Sequence, residues 1–243
     1  MEKERSSKIR KIDTIVESFH RTMMHYAFWY EEVKHQFGKE KALETMDEVW
    51  ERYKPIFIKR LSKTLDFELE DGYPKPLLDL RPEKLDDLQK AIGINWLAND
   101  GVWFQAVEFK NGMNDAKRCN DSCWAQFSPF EAHRIKKILQ MDEFPGIEGL
   151  QRALNHRIYA DVNKQSFEIA EDGSLIFYMN ECRVQMARQR KGLPDYPCKS
   201  GGMVEYTTFA QAIDARIKTE VISCPPDKHP AHYFCAWRFF IEK

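Results

Sequence analysis

The sequence predicts an α+β fold, a helical first part over residues 1–145 followed by a small antiparallel sheet with helices over residues 146–243. Three observations carry this. Apolar residues recur every three or four positions through the first part, the signature of amphipathic helices. Near residue 165 the pattern shortens to strand-like runs bounded by turn residues. All six cysteines lie between Cys119 and Cys235, so the first 118 residues have none. The two parts are expected to pack as one compact unit.

The elements follow in order. Ile12, Val16, Phe19, Met23, Tyr26, Tyr30, Val33 and Phe37 alternate spacings of four and three, which predicts one long helix ending at Gly38, a residue suited to a left-handed cap. Leu43, Met46, Val49, Trp50, Tyr53, Phe57 and Leu61 predict a second, which Pro55 should kink or divide. After the loop DGYPKPLLDLRP, a third helix places Leu85, Leu88, Ile92, Trp96, Asn99, Trp103 and Ala106 on one stripe. SPFE, residues 128–131, reads as a capping box opening a fourth helix, with Ser128 as N-cap and Glu131 at its third position. GIEGLQRALNHRIYADVN predicts a fifth. SFEIA and SLIFYM flank the turn EDG as a β-hairpin. A helix from Met203 to Ile213 follows Gly201 and Gly202, and IKTEVIS and YFCAWRFFI form a second strand pair joined by CPPDKHPAHYFC.

Composition narrows the function. An apolar fraction of 43% with 13% aromatics supports a substantial core. The 37 basic and 38 acidic side chains leave a formal charge of −1, which gives no global reason to bind nucleic acid or an anionic membrane. The basic run RVQMARQRKG, residues 183–192, is expected to be a solvated helix face. The charged start MEKERSSKIRK and the lack of a long apolar run predict a cytoplasmic protein with no membrane partner. In a reducing compartment, cysteines are thiols or metal thiolates rather than disulfides.

Four cysteines sit at the ends of predicted elements. Cys182 follows the first hairpin, Cys198 precedes Gly201 and Gly202, and Cys224 and Cys235 bracket the last strand connection. Side chains at such ends can converge on one ion without distorting the elements, which suits a thiolate-bound zinc or, alternatively, an iron-sulfur cluster. By spacing alone this reading stands level with four small buried hydrophobes. His229 and His232, in a proline-stiffened loop, are weaker ligand candidates, and Cys119 and Cys123 form a second, looser pair.

The blocks CRVQMARQRKGLPDYPCKSGGMVEYTTFAQAID, CPPDKHPAHYFCAWRFF, NWLANDGVWFQAVE and AKRCNDSCW resemble a family of prokaryotic cytosolic proteins with no assigned activity. More distantly, the C-terminal half resembles the L-2-amino-thiazoline-4-carboxylic acid hydrolase family and the 4-vinyl reductase type of small-molecule-binding domain. In the latter, three cysteines spaced like Cys198, Cys224 and Cys235 bind zinc. The resemblance implies a metal site with Cys182 as fourth ligand, where that domain uses a carboxylate. The expected fold class is thereby completed by a cysteine-rich metal site.

A ligand site is expected on the third helix. Asn99 and Asp100 interrupt an aromatic stripe beside Trp96 and Trp103, and buried polar groups among aromatics suit a small-ligand pocket as well as a structural hydrogen bond. His25, among aromatics on the first helix, is a weaker member of the same set. Two classes follow: a hydrolase with Asp100 as general base, or a ligand-binding or sensing module with structural zinc. An iron-sulfur redox protein is a third. The partner is a small molecule, and homo-oligomerisation is left open.

Overall fold

The computed structural model describes residues 2–242, with side chains described from Glu4 onward. The chain divides into two compact units at Leu80 and Arg81, rather than at residue 145. The division falls there because the helices after residue 81 pack on the elements that follow them.

The first unit is built on a helical hairpin. Helices α1 (Glu2–Phe37) and α2 (Lys39–Leu65) meet at Gly38, whose φ of 86° reverses the chain in one residue. Tyr26 of α1 and Tyr53 of α2 pack edge to face with centroids 5.9 Å apart. The α1 stripe itself faces solvent: Val16, Phe19 and Met23 are each 63% exposed. Pro55 lies inside α2, which runs on undivided. The segment expected to be a loop contains strands β1 (Leu69–Glu70) and β2 (Tyr73–Pro74) and helix α3 (Lys75–Leu78). Asp71 and Gly72 both have positive φ, the geometry of a two-residue hairpin turn.

The second unit is layered. Helix α4 spans Pro82–Asn111, with proline at its first position, and α5 spans Met113–Ile138. Gly112, with φ 89°, separates them. The SPFE motif therefore lies inside α5 and does not start a helix. Glu131 there accepts hydrogen bonds from Arg157 and the Ile158 N–H instead of a cap. Helix α6 (Gly146–Leu154) is shorter than its sequence pattern, and turns fill residues 155–163. Strands β3 (Lys164–Ile169) and β4 (Leu175–Glu181), helices α7 (Arg183–Arg190) and α8 (Lys199–Ile213), and strands β5 (Ile217–Ser223) and β6 (Cys235–Ile241) complete the unit. The four strands form one antiparallel sheet in the order β3-β4-β6-β5, so both predicted hairpins are present and join through β4 and β6.

Helix α8 lies between this sheet and α5. Its Tyr206, Phe209, Ala210 and Ile213 join Phe177, Trp237 and Phe239 of the strands in the buried core. The glycine pair explains how the helix fits. A Cβ on Gly201 would stand 2.9 Å from Asp121 Oδ1 of α5, and one on Gly202 would stand 2.5 Å from Trp237 Cζ2 of β6. The start of α8 is thus wedged between a helix and a strand at a spacing that excludes side chains.

Of the stripe predicted on α4, Trp96 packs on the core while most of the other members face outward. Leu85, Leu88, Ile92 and Trp103 are 40–61% exposed and Asn99 is exposed, whereas Gly93 is buried against the Ile158 carbonyl. Apolar residues surround this helix, so periodicity alone does not choose the buried side.

Candidate functional site

A cavity of about 340 Å³ opens in the second unit, within the range of small-ligand sites. Helix α4 supplies Trp96, Asp100 and Phe104; α5 supplies Trp124; α8 supplies Glu205 and Tyr206; the sheet supplies Met179 and Trp237. Its aromatic residues fall into contacting groups. Trp96 stacks on Phe127 and meets Trp124 and Tyr159 with centroids 5.6–6.2 Å apart. Phe104 meets Tyr196 at 5.0 Å, and Tyr206 meets Trp237 at 4.8 Å.

A buried ion network reaches the cavity through Glu205 and Tyr159. Arg157, 1% exposed, donates Nε to Glu131 at 2.9 Å and Nη1 to Glu205 and to the Tyr159 hydroxyl, both at 2.6 Å. The guanidinium also lies over the rings of Tyr159 and Phe209, 4.5 Å from each centroid. Burial raises the Glu205 carboxyl above its ordinary range, although Arg157 opposes the shift. Asp100 faces the same space. Burial first, and then the charge of Glu205, push its carboxyl up to about 6.

All four element-end cysteines line this cavity. Cys182 is the N-cap residue of α7 and Cys198 that of α8; Cys224 follows β5, and Cys235 begins β6. The Cys224 and Cys198 sulfurs are 3.8 Å apart, and Gln185 Nε2 lies 3.2 Å from Cys198 Sγ. The same Gln185 amide clamps the Tyr196 backbone with two bonds of 2.8 Å, which holds the chain entering Cys198 in place. Contact with Cys224 lowers the Cys198 thiol, aided by Gln185 and the charge of Lys117. Contacts with Cys198 and Cys235, then burial, raise the Cys224 thiol. Burial pushes Cys182 up to about 12.

Among the described residues, no three histidine, cysteine, aspartate or glutamate side chains are closed into a ready metal-holding group. One pair of the four cysteines is spaced as zinc ligands would be. Sulfurs about 2.3 Å from a tetrahedral zinc stand about 3.8 Å from one another, which is the edge Cys198 and Cys224 already form.

The other expected site residues lie elsewhere. Asn99 is exposed, one residue along α4 from Asp100 and pointing away from the cavity lining. Trp103 is 61% exposed. His25 is exposed on α1 and stacks edge-on with Trp29. Cys119 and Cys123 are exposed on one face of α5, four residues apart. His229 bonds the Pro230 carbonyl and His232 packs on Tyr233, neither among the cavity-lining residues. Sequence reasoning missed Glu205, Tyr206, Trp124, Tyr159 and Arg157. Glu205 was visible as an acid on the helix after the glycine pair, but its burial depends on Arg157, 48 residues away.

Among the described residues, no helix is long and apolar enough to cross a membrane. No curated protein and no solved structure matches the chain. Residues 78–241, which include the whole cavity, match the model of a family of unknown function (DUF6125), and the chain belongs to that family.

Proposed function

We propose that this is a small-molecule-binding protein whose ligand cavity is braced on one side by a thiolate-held metal ion. The observation that carries the reading is the shared wall: the four cysteines from four element ends line the same 340 Å³ aromatic cavity as Asp100 and Glu205. The distant resemblance to a zinc-holding small-molecule-binding domain supports it. Cys182, Cys198, Cys224 and Cys235 would hold the metal, zinc being the ion that suits four thiolates in a tetrahedron. Zinc in such a shell supplies a cross-link between β4, β5, β6 and α8 and leaves no position for an activated water. Any turnover would then fall to Asp100, whose raised carboxyl suits a general base toward a small heterocyclic or amide-like substrate.

The test is elemental analysis of protein purified without oxygen, beside melting temperature. One zinc per chain is expected. Cys224→Ser should lose that zinc and melt at a lower temperature. A variant that keeps both its metal and its stability would sink the structural-metal reading, and a brown protein containing iron would redirect it to a cluster.

A further inference from the structure

We propose that the ligand of this cavity is a compact planar organic cation, held by Asp100 and Glu205 within the surrounding aromatic rings. This rests on the reading of the cavity as a binding site.

The cavity lining carries two carboxylates, Asp100 and Glu205, and three cations, Arg183, Arg188 and Lys191, while a third carboxylate, Glu131, stands behind Glu205. The buried guanidinium of Arg157 is divided: Nε goes to Glu131 and Nη1 to Glu205. Lys117 is likewise committed, to Asp121 at 2.9 Å and to the Tyr196 hydroxyl at 3.0 Å. Arg188 faces Glu108 at 3.8 Å, and Arg183 and Lys191 are exposed to water. Among the described residues no cation is paired with Asp100, and no hydrogen bond offsets its burial. An unpaired carboxylate in a half-dry cavity is costly, so an occupant that brings positive charge recovers that cost on binding.

The walls suit the same occupant. Trp96, Trp124, Phe104, Tyr196, Tyr206 and Trp237 line the same cavity as the two acids. Aromatic faces attract cations by their quadrupole, and the attraction grows when water is excluded. A flat cation also makes more contact against a ring face than a tetrahedral one of equal volume.

Benzamidinium, benzamide and benzoate are nearly isosteric and differ chiefly in charge, so they test the inference directly. Binding is read by calorimetry and by quenching of tryptophan fluorescence in the full-length protein. Benzamidinium is expected to bind at least tenfold tighter than benzamide at pH 7.5, and benzoate more weakly than either. Asp100→Asn should remove most of the benzamidinium advantage and leave benzamide unchanged. The groups that face Asp100 are Glu205 of α8, Cys123 of α5 and Tyr196 of the connection between α7 and α8. Because Asp100 binds its proton near pH 6, affinity for benzamidinium should fall about tenfold between pH 7.5 and 5, and this fall should vanish in Asp100→Asn. Equal binding of amidine and amide, or a preference for benzoate, would overturn the cation while leaving the cavity as a ligand site. Binding of none of the three at millimolar concentration would overturn the ligand-site reading itself.

Discussion

Two regions of this chain use the same kind of amphipathic pattern to different ends. In α1, Phe19 and Met23 recur at helical spacing and are each 63% exposed, and Trp29 is 60% exposed. In α8, Tyr206, Phe209, Ala210 and Ile213 recur at the same spacing and are 0–4% exposed. Periodicity therefore establishes the element, while the presence of a facing surface decides whether its stripe is buried. For α8 the four-stranded sheet is that surface. The family match begins at residue 78, so the well-packed region is also the one the family describes.

The largest effect that would sharpen this contrast is a matched pair of truncations. Phe177→Ala removes a fully buried ring packed between Phe167 and Tyr206, and should cost about 3–5 kcal/mol. Phe19→Ala removes a ring that is already mostly in water, and should change stability by no more than about 0.5 kcal/mol. Denaturant unfolding of both variants gives the comparison, and similar losses would show that the α1 face is covered in solution.

The sequence disclosed elements better than partners. Both hairpins, the long first helix with its turn at Gly38, and the placing of four cysteines at element ends were legible, because each depends on local pattern and turn chemistry. The capping box at Ser128 misled because Pro129 and Glu131 carry the same residues a helix start would use, while the true break is one glycine at position 112. Helix α4 misled for a related reason: with apolar residues on all sides, its exposed stripe reads as well as its packed one. Asp100 was legible as a polar break among aromatics. Its neighbour was not, since Glu205 comes to face it from α8, a helix that starts 99 residues further along the chain.

A smaller effect tests the wedge that shapes the cavity. Gly202→Ala places a methyl group 2.5 Å from Trp237 Cζ2, so either the ring or the start of α8 must move. Such overpacking should cost about 1–3 kcal/mol. Because Trp237 and Cys198 both line the cavity, benzamidinium binding and metal content should fall with it. A Gly202→Ala protein with unchanged melting temperature would mean that this junction yields readily, unlike the rest of the second unit.

The smallest expected effect separates a functional carboxylate from a structural one. The folded state raises Asp100 from 3.8 to about 6, so folding favours its protonated form. A carboxyl with a raised folded value adds stability in full below about pH 4, and that contribution is lost as pH rises through 6. Above that pH the native protein bears the cost of a half-buried charge, on the order of 1–2 kcal/mol after allowing for partial hydration. Asp100→Asn keeps the shape and removes the charge. The variant should therefore be more stable than the native protein at pH 7.5, with the difference shrinking to near zero by pH 4. Denaturant midpoints at the two pH values measure this. A gain at neutral pH accompanied by lost benzamidinium binding would place Asp100 among residues kept for function at a cost in stability. Equal destabilisation at both pH values would instead make it a packing residue of α4, and the base assigned to the cavity would have to be sought in Glu205.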